Sequence, residues 1–243
     1  MSQSRIAFLA VPSAEGLEGV MIRFLVVTCV ASIALTGSAL AQQEPQGWGG
    51  FYLGVHGGYG WGDRDGCIDI DEDSCLDTPF DVFDYDQDGW LVGGQIGYNH
   101  MLGSFLIGLE VDASFASIKG EGDFGGDPGV GEYDWLAGFK GRVGFAIDDF
   151  LLFGTGGLAL AGYDFDGASG CQFSQTRDGY LAGGGLEIKI SNRASIKAEY
   201  NYMDLGDDRQ FCATFGGFIP IVSETDATLN VVRFGFNYLL GGP

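Results

Sequence analysis

Asp84, Asp86 and Asp88, followed by Gly89, reproduce the D-x-D-x-D-G opening of a calcium loop, in which oxygens from alternate residues converge on one hard cation. The twelfth position is Gln95 and not Glu, and it lies in an alternating apolar stretch, which excludes a helix-loop-helix calcium module. Asp63 and Asp65, then Asp69, Asp71 and Asp73, repeat the spacing. The expectation is weakly bound Ca2+ or Mg2+ in this first long segment, with a merely solvated acidic loop as the plainer reading. Otherwise no cofactor is expected. His56 and His100 have no neighbouring residue that would pair with them as nucleophile and base, and nothing further supports haem ligation by either. Gly156-Gly157 and Gly183-Gly184-Gly185 precede no phosphate-binding helix and read as strand glycines. No catalytic residue is assigned, and the chain is not expected to be an enzyme.

A second set of ionisable residues stands at alternate positions inside apolar stretches. Glu110 and Asp112 interrupt Phe105, Ile107, Leu109, Val111 and Ala113; Lys140 and Arg142 interrupt Phe139, Val143 and Phe145. Glu187 and Lys189 do the same among Leu186, Ile188 and Ile190, Lys197 and Glu199 among Ile196, Ala198 and Tyr200, and Arg233 among Val232, Phe234 and Phe236. A period of two is that of strands whose two faces meet different surroundings. The nine charges therefore share one face and are expected to form a buried ion-pair and hydrogen-bond network. A selectivity lining for a narrow ion path is the alternative.

Eight such segments are found, near 50–61, 89–100, 105–115, 133–147, 150–163, 178–190, 194–204 and 227–240. Short connections alternate with long acidic ones at 62–88, 116–132, 164–177 and 205–226. An even strand number with long external loops and short periplasmic turns is the outer-membrane pattern. Aromatics cluster at the strand ends on the apolar face, with Tyr98, Phe105, Phe145 and Tyr238 at one end and Trp61, Trp90, Trp135, Tyr180 and Tyr202 at the other. They read as two interfacial girdles. A lipocalin-like soluble barrel would instead place its apolar side chains inside. The fold expected is all-β: an eight-stranded antiparallel up-and-down transmembrane β-barrel.

Arg23, the apolar run from Phe24 to Leu35 and Ala39-Leu40-Ala41 read as an export signal over 1–41, with 1–20 upstream of the true start and the barrel domain at 42–243. Cys67, Cys75, Cys171 and Cys212 remain in the exported chain; 67 with 75 and 171 with 212 is the favoured pairing, against free thiols or metal ligands. The net charge is -21, with only 12 Lys and Arg, so a nucleic-acid partner is excluded.

Trp48-Gly49-Gly50-Phe51-Tyr52-Leu53-Gly54, with Gly57-Gly58-Tyr59-Gly60-Trp61, resembles the opening strand of the porin-like outer-membrane surface antigens of alphaproteobacteria. Leu151 to Ala161 and Asn230 to Gly235 are similar to the same family. The resemblance implies an OmpA-type eight-stranded barrel in the outer membrane of a Gram-negative bacterium, with surface-antigen, membrane-integrity, adhesive or haemin-binding roles. Arg233, Gly235, Tyr238 and Leu240 resemble the carboxy-terminal signal read by the barrel-assembly machinery, although Leu240 replaces the usual aromatic. The expected protein is a monomer in outer-membrane lipid and lipopolysaccharide, with a structural and surface-antigen role. The alternatives are an adhesin or a haemin or metal receptor that meets a host surface ligand through its loops, and a narrow channel.

Overall fold

The computed structural model describes residues 47–69, 82–123, 128–167, 172–214 and 219–240. Eight strands follow one another: β1 (Gly50–Asp69), β2 (Val82–Leu102), β3 (Phe105–Asp123), β4 (Pro128–Ile147), β5 (Phe150–Gly167), β6 (Gln172–Ser191), β7 (Ala194–Thr214) and β8 (Ile219–Leu239). Each pairs antiparallel with the next, and β8 returns to β1, so the sheet closes into a barrel without edges at its waist. The expected signal over 1–41 lies outside the described residues.

Three connections are two-residue turns at one end of the barrel. Gly103 turns β2 into β3 at φ +68°, and Asp148 turns β4 into β5 at φ 52°, both in the left-handed region that such hairpins require. The third is Asn192-Arg193.

The opposite end corrects the sequence reading. The segments expected as long loops are largely strand, because β1 runs to Asp69 and β2 already begins at Val82. Strands of 18 to 21 residues are about twice what a bilayer crossing needs, about 9–11 residues. With tight turns at one end, the excess projects at the other. There the amphipathic pattern reverses. Near the turns, Phe51, Leu53, Ile107, Leu152, Ile196 and Phe236 face outward and the charges face inward. Beyond Trp61, Trp90 and Tyr180, polar residues such as Asp86, Asp88, Glu121, Asp164 and Asp178 face outward, and the interior, already apolar at Leu91, Leu136 and Leu181 just below that girdle, continues with Ile118, Tyr133, Met203 and Leu229.

Glycine is what lets so narrow a tube hold large side chains. At Gly157, a Cβ would collide with the Phe139 carbonyl and stand 2.9 Å from the Lys140 Cα. At Gly156, one residue earlier and facing outward, the nearest atom to such a Cβ is the Leu181 carbonyl oxygen at 3.8 Å.

Candidate functional site: the barrel lumen

The interior has two storeys. The lower one gathers eight of the nine expected charges from β3, β4, β6, β7 and β8, all buried. Lys140 Nζ is its hub, at 2.7 Å from Glu110, 2.8 Å from Glu199 and 3.1 Å from Asp112. Lys197 bridges Glu110 and Glu199, each at 2.9 Å. Arg142 Nη2 donates to Glu187 at 2.9 Å, and Arg233 Nη1 to Asp112 at 2.6 Å. Four acids thus face four bases. Inside a low-dielectric wall that equality matters, because an uncompensated charge costs several kcal/mol, roughly 3–5 when one partner of a pair is lost.

Lys189 is the member that does not join. The sequence placed it in the network, but its strand position brings it level with the turn at Asp149, whose carbonyl accepts the Lys189 backbone N–H at 2.9 Å. Its ammonium lies 4.6 Å from the ring centroid of Trp48. Removing it from the expected five bases is what balances the storey.

Neutral residues extend the network beyond what charge patterning could find. Tyr52 donates to Glu110 at 2.7 Å and accepts from Arg142 at 2.8 Å. Gln95 donates to Asn237 at 2.7 Å, and Asn237 to Glu187 at 2.7 Å. Because the Gln95 amide nitrogen is committed to Asn237, its oxygen faces His56 Nδ1 at 2.6 Å, which fixes the proton on Nδ1. Ser114 then donates to His56 Nε2 at 2.7 Å. This pairing of a serine with a histidine was invisible in the sequence, where the two stand 58 residues apart. Its connectivity is that of a nucleophile, base and orienter, but both residues are 4% exposed and walled in by the network. Buried in this way between Gln95 and Ser114, His56 makes the arrangement a hydrogen-bonded strut.

Trp48 closes the turn end. It packs on Met101, Leu106, Ala146, Leu151 and Phe153, donates from Nε1 to the Asp148 carbonyl at 3.4 Å and accepts at its own carbonyl from Asn99 at 3.3 Å. The upper storey closes the other end with packed apolar side chains. On its wall Tyr133 meets Tyr163 at 5.1 Å, and Phe165 stacks on Phe173 at 5.2 Å. Among the described residues the lumen thus holds a plug, an ion-paired layer and an apolar layer.

Of the acidic candidates, Asp86 and Asp88 lie outside the lumen. Asp86 and Asp88 are exposed on β2, and Asp84 shares their strand, its side chain outside the described residues. The segment expected as a chelating loop is thus strand at these three positions. In an extended strand, alternate residues are about 6.6 Å apart along the chain, too far for three carboxylates to close on one ion. Asp88 accepts a hydrogen bond from Tyr59 instead. Among the described residues, no group of three His, Cys, Asp or Glu side chains is arranged to hold a metal. Cys75 and Cys171, and the side chains of Cys67 and Cys212, lie outside the described residues. Of the closing motif, Arg233 points inward, a Cβ at Gly235 would stand 3.1 Å from the Val55 carbonyl, and Tyr238 and Leu240 face outward. The Leu240 amide donates to the Phe51 carbonyl at 2.8 Å, extending the β1–β8 seam.

Residues 27–238 match the family described as outer membrane protein beta-barrel domain. The chain belongs to that family. Among relatives of this outer-membrane barrel, the 22 kDa outer membrane protein of Rhizobium leguminosarum bv. viciae is 33% identical over 199 residues, covering 80% of this chain and 82% of the relative. The 31 kDa outer-membrane immunogenic protein of Brucella melitensis biotype 1 is 30% identical over 216 residues, covering 79% and 83%. Of solved structures, the outer membrane protein OprG of Pseudomonas aeruginosa superposes with a TM-score of 0.54 at 13% identity, covering 81% of this chain and all of OprG. That likeness is one of fold. The outer-membrane barrel of a Gram-negative bacterium therefore has its tight turns in the periplasm and its extended strands outside.

Proposed function

We propose that this outer-membrane barrel is a monomeric, non-enzymatic envelope protein whose closed body supports membrane integrity and whose projecting strands act as a surface antigen. The observation that carries this reading is the doubly closed lumen: a balanced ion-pair layer beneath an apolar layer, with Trp48 stopping the periplasmic mouth. Such an interior spends its side chains on rigidity, where a porin would keep water. The surface role draws on the projecting acidic strands and on the relatives named as immunogenic.

Its proposed partners are outer-membrane lipid, lipopolysaccharide and, during biogenesis, the barrel-assembly machinery. Ca2+ or Mg2+ enters this reading as a shared counterion. β1 sets Asp63 opposite Asp86 and Asp65 opposite Asp84, and like charges directly opposite destabilise a sheet unless screened.

The test is a deletion strain assayed for leakage of periplasmic enzyme and for sensitivity to bile salts, complemented with the wild type or with a chain lacking 70–81. Restoration by both supports a body-borne role. Restoration by the wild type alone would move the function to the first external segment, as an adhesin or haemin or metal receptor requires.

A further inference from the structure

One side of the membrane-facing wall is hollow. A groove of about 700 Å³ runs over the outside of the barrel from Val92 on β2, across β1, β8 and β7, to Leu186 on β6. Pairing sets Val92, Gly57, Phe234, Ala198 and Leu186 side by side in one row. Gly57 has no side chain and Ala198 only a methyl group, so the row dips on both flanks of the exposed Phe234 ring. The side chains around the groove are aliphatic or aromatic, because His56 and Lys197, which also border it, turn theirs into the lumen.

Its two limits differ. Two residues farther out on β2, β1 and β7 stand the exposed rings of Trp90, Tyr59 and Tyr200, and the groove ends below them. Tyr59 donates to Asp88, and Tyr200 to Asn230 at 2.6 Å, so both rings are held in place. In the other direction the groove reaches Ile188 and Ile196, which pair with each other just before the periplasmic turn at Asn192-Arg193. It is thus bounded by the outer girdle and runs down toward the periplasmic leaflet.

What fills it follows from where it lies. This wall is the apolar outer face of an outer-membrane barrel, so the groove is continuous with the hydrocarbon of the membrane. Its volume is that of a ligand pocket, about 300–1,000 Å³. A chain lying in it meets atoms on several sides where a convex wall offers one, and each added contact contributes dispersion energy. A second copy fits poorly, because two-fold symmetry sets the same patch on both partners, hollow against hollow. Lipopolysaccharide chains would have to enter across the rings of Trp90, Tyr59 and Tyr200. We propose that the groove holds one acyl chain of a periplasmic-leaflet phospholipid as a bound ligand. The inference rests on the lipid partnership proposed above and deepens it to a site.

The experiment uses the full mature chain in nanodiscs of phospholipid that carries a photoactivatable diazirine midway along one acyl chain, with the label mapped by mass spectrometry. Peptides bearing Gly57, Ala198 and Phe234 are expected to take several times the label of the β3 peptide bearing Leu109 and Val111, which are exposed on another part of the wall. G57L/A198F, checked for folding by its unheated gel mobility, is expected to bring the groove down to the β3 level; at Gly57 a Cβ meets nothing closer than the Leu91 carbonyl oxygen at 3.7 Å. If the pair fails to fold, A198F alone should lower the label on the Phe234 peptide, and the wild-type comparison stands without either. Even label on both walls would overturn the bound chain and leave the membrane reading intact, whereas label on neither would take both down. Lipid A carrying the same diazirine should not favour the groove. A preference for it there would give the groove to lipopolysaccharide, and groove label that falls as more copies are loaded per disc would give it to a second copy; either overturns the proposal.

Discussion

Arg233 Nη1 meets Asp112 Oδ1 at 2.6 Å and so ties the last strand of the barrel to the third across the lumen. The contact is more than a local ion pair, because Asp112 also receives Lys140 and through it Glu110 and Glu199. Removing the guanidinium leaves a buried carboxylate short of its counter-charge. R233M is expected to destabilise the barrel by about 3–5 kcal/mol, whereas R233M combined with D112L should recover most of the loss. The temperature at which the folded gel band converts to the unfolded one measures both; an unshifted R233M would refute a structural network.

Trp48 makes a second prediction, because it is aromatic packing and hydrogen-bonded stopper at once. W48A should cost about 3–5 kcal/mol, the range for removing a large buried aromatic. W48F keeps the packing and loses only the bond from Nε1 to Asp148, so it should cost about 1 kcal/mol. Urea unfolding from lipid vesicles separates the two.

Adjacent glycines offer a third. G157A forces a methyl group into the Phe139 carbonyl and should lower the unfolding temperature markedly, while G156A meets nothing closer than ordinary van der Waals contact and should be neutral or stabilising by about 0.4–1 kcal/mol. Equal effects would mean that the inward and outward faces are assigned wrongly.

In planar bilayers the wild-type barrel is expected to show no steady conductance at 100 mV. Sustained ohmic steps would contradict the two closed storeys and restore the channel reading.

Divalent cations give a fifth test. If facing aspartates such as Asp63 and Asp86 are held together by counterions, chelation should lower the unfolding temperature of the wild type, and D63N/D86N should shrink that response. An identical response in both would place the cation effect elsewhere.

Strand number, order and inward parity were legible because the membrane imposes one rule on the lower half of every strand: apolar outside, polar inside. Phe105 to Ala113 against Glu110 and Asp112 states that rule in nine residues. The upper half was misread because outside the membrane the rule reverses. Asp86 and Asp88 looked like loop residues when they were the wet face of a strand. Lys189 shared the parity of the network but not its height, which alternation cannot report. Ser114 and His56 met across Gly93, the β2 residue that pairs with both, a relationship that depends on the register of three strands.

The reversal of faces along each strand also gives the barrel a waterline. Pushing it inward by a single residue pair would carry Asp88 and Asp204 toward hydrocarbon, and drawing it outward would pull Phe105 and Phe145 off the periplasmic interface and carry the turn residues Asp148 and Asp149 toward hydrocarbon. Either displacement works against charge and aromatic placement on several strands together. The protein is thus ballasted: its draught in the membrane is written into its own sequence, and the height at which it offers its acidic rim to the outside is fixed to within about one strand repeat.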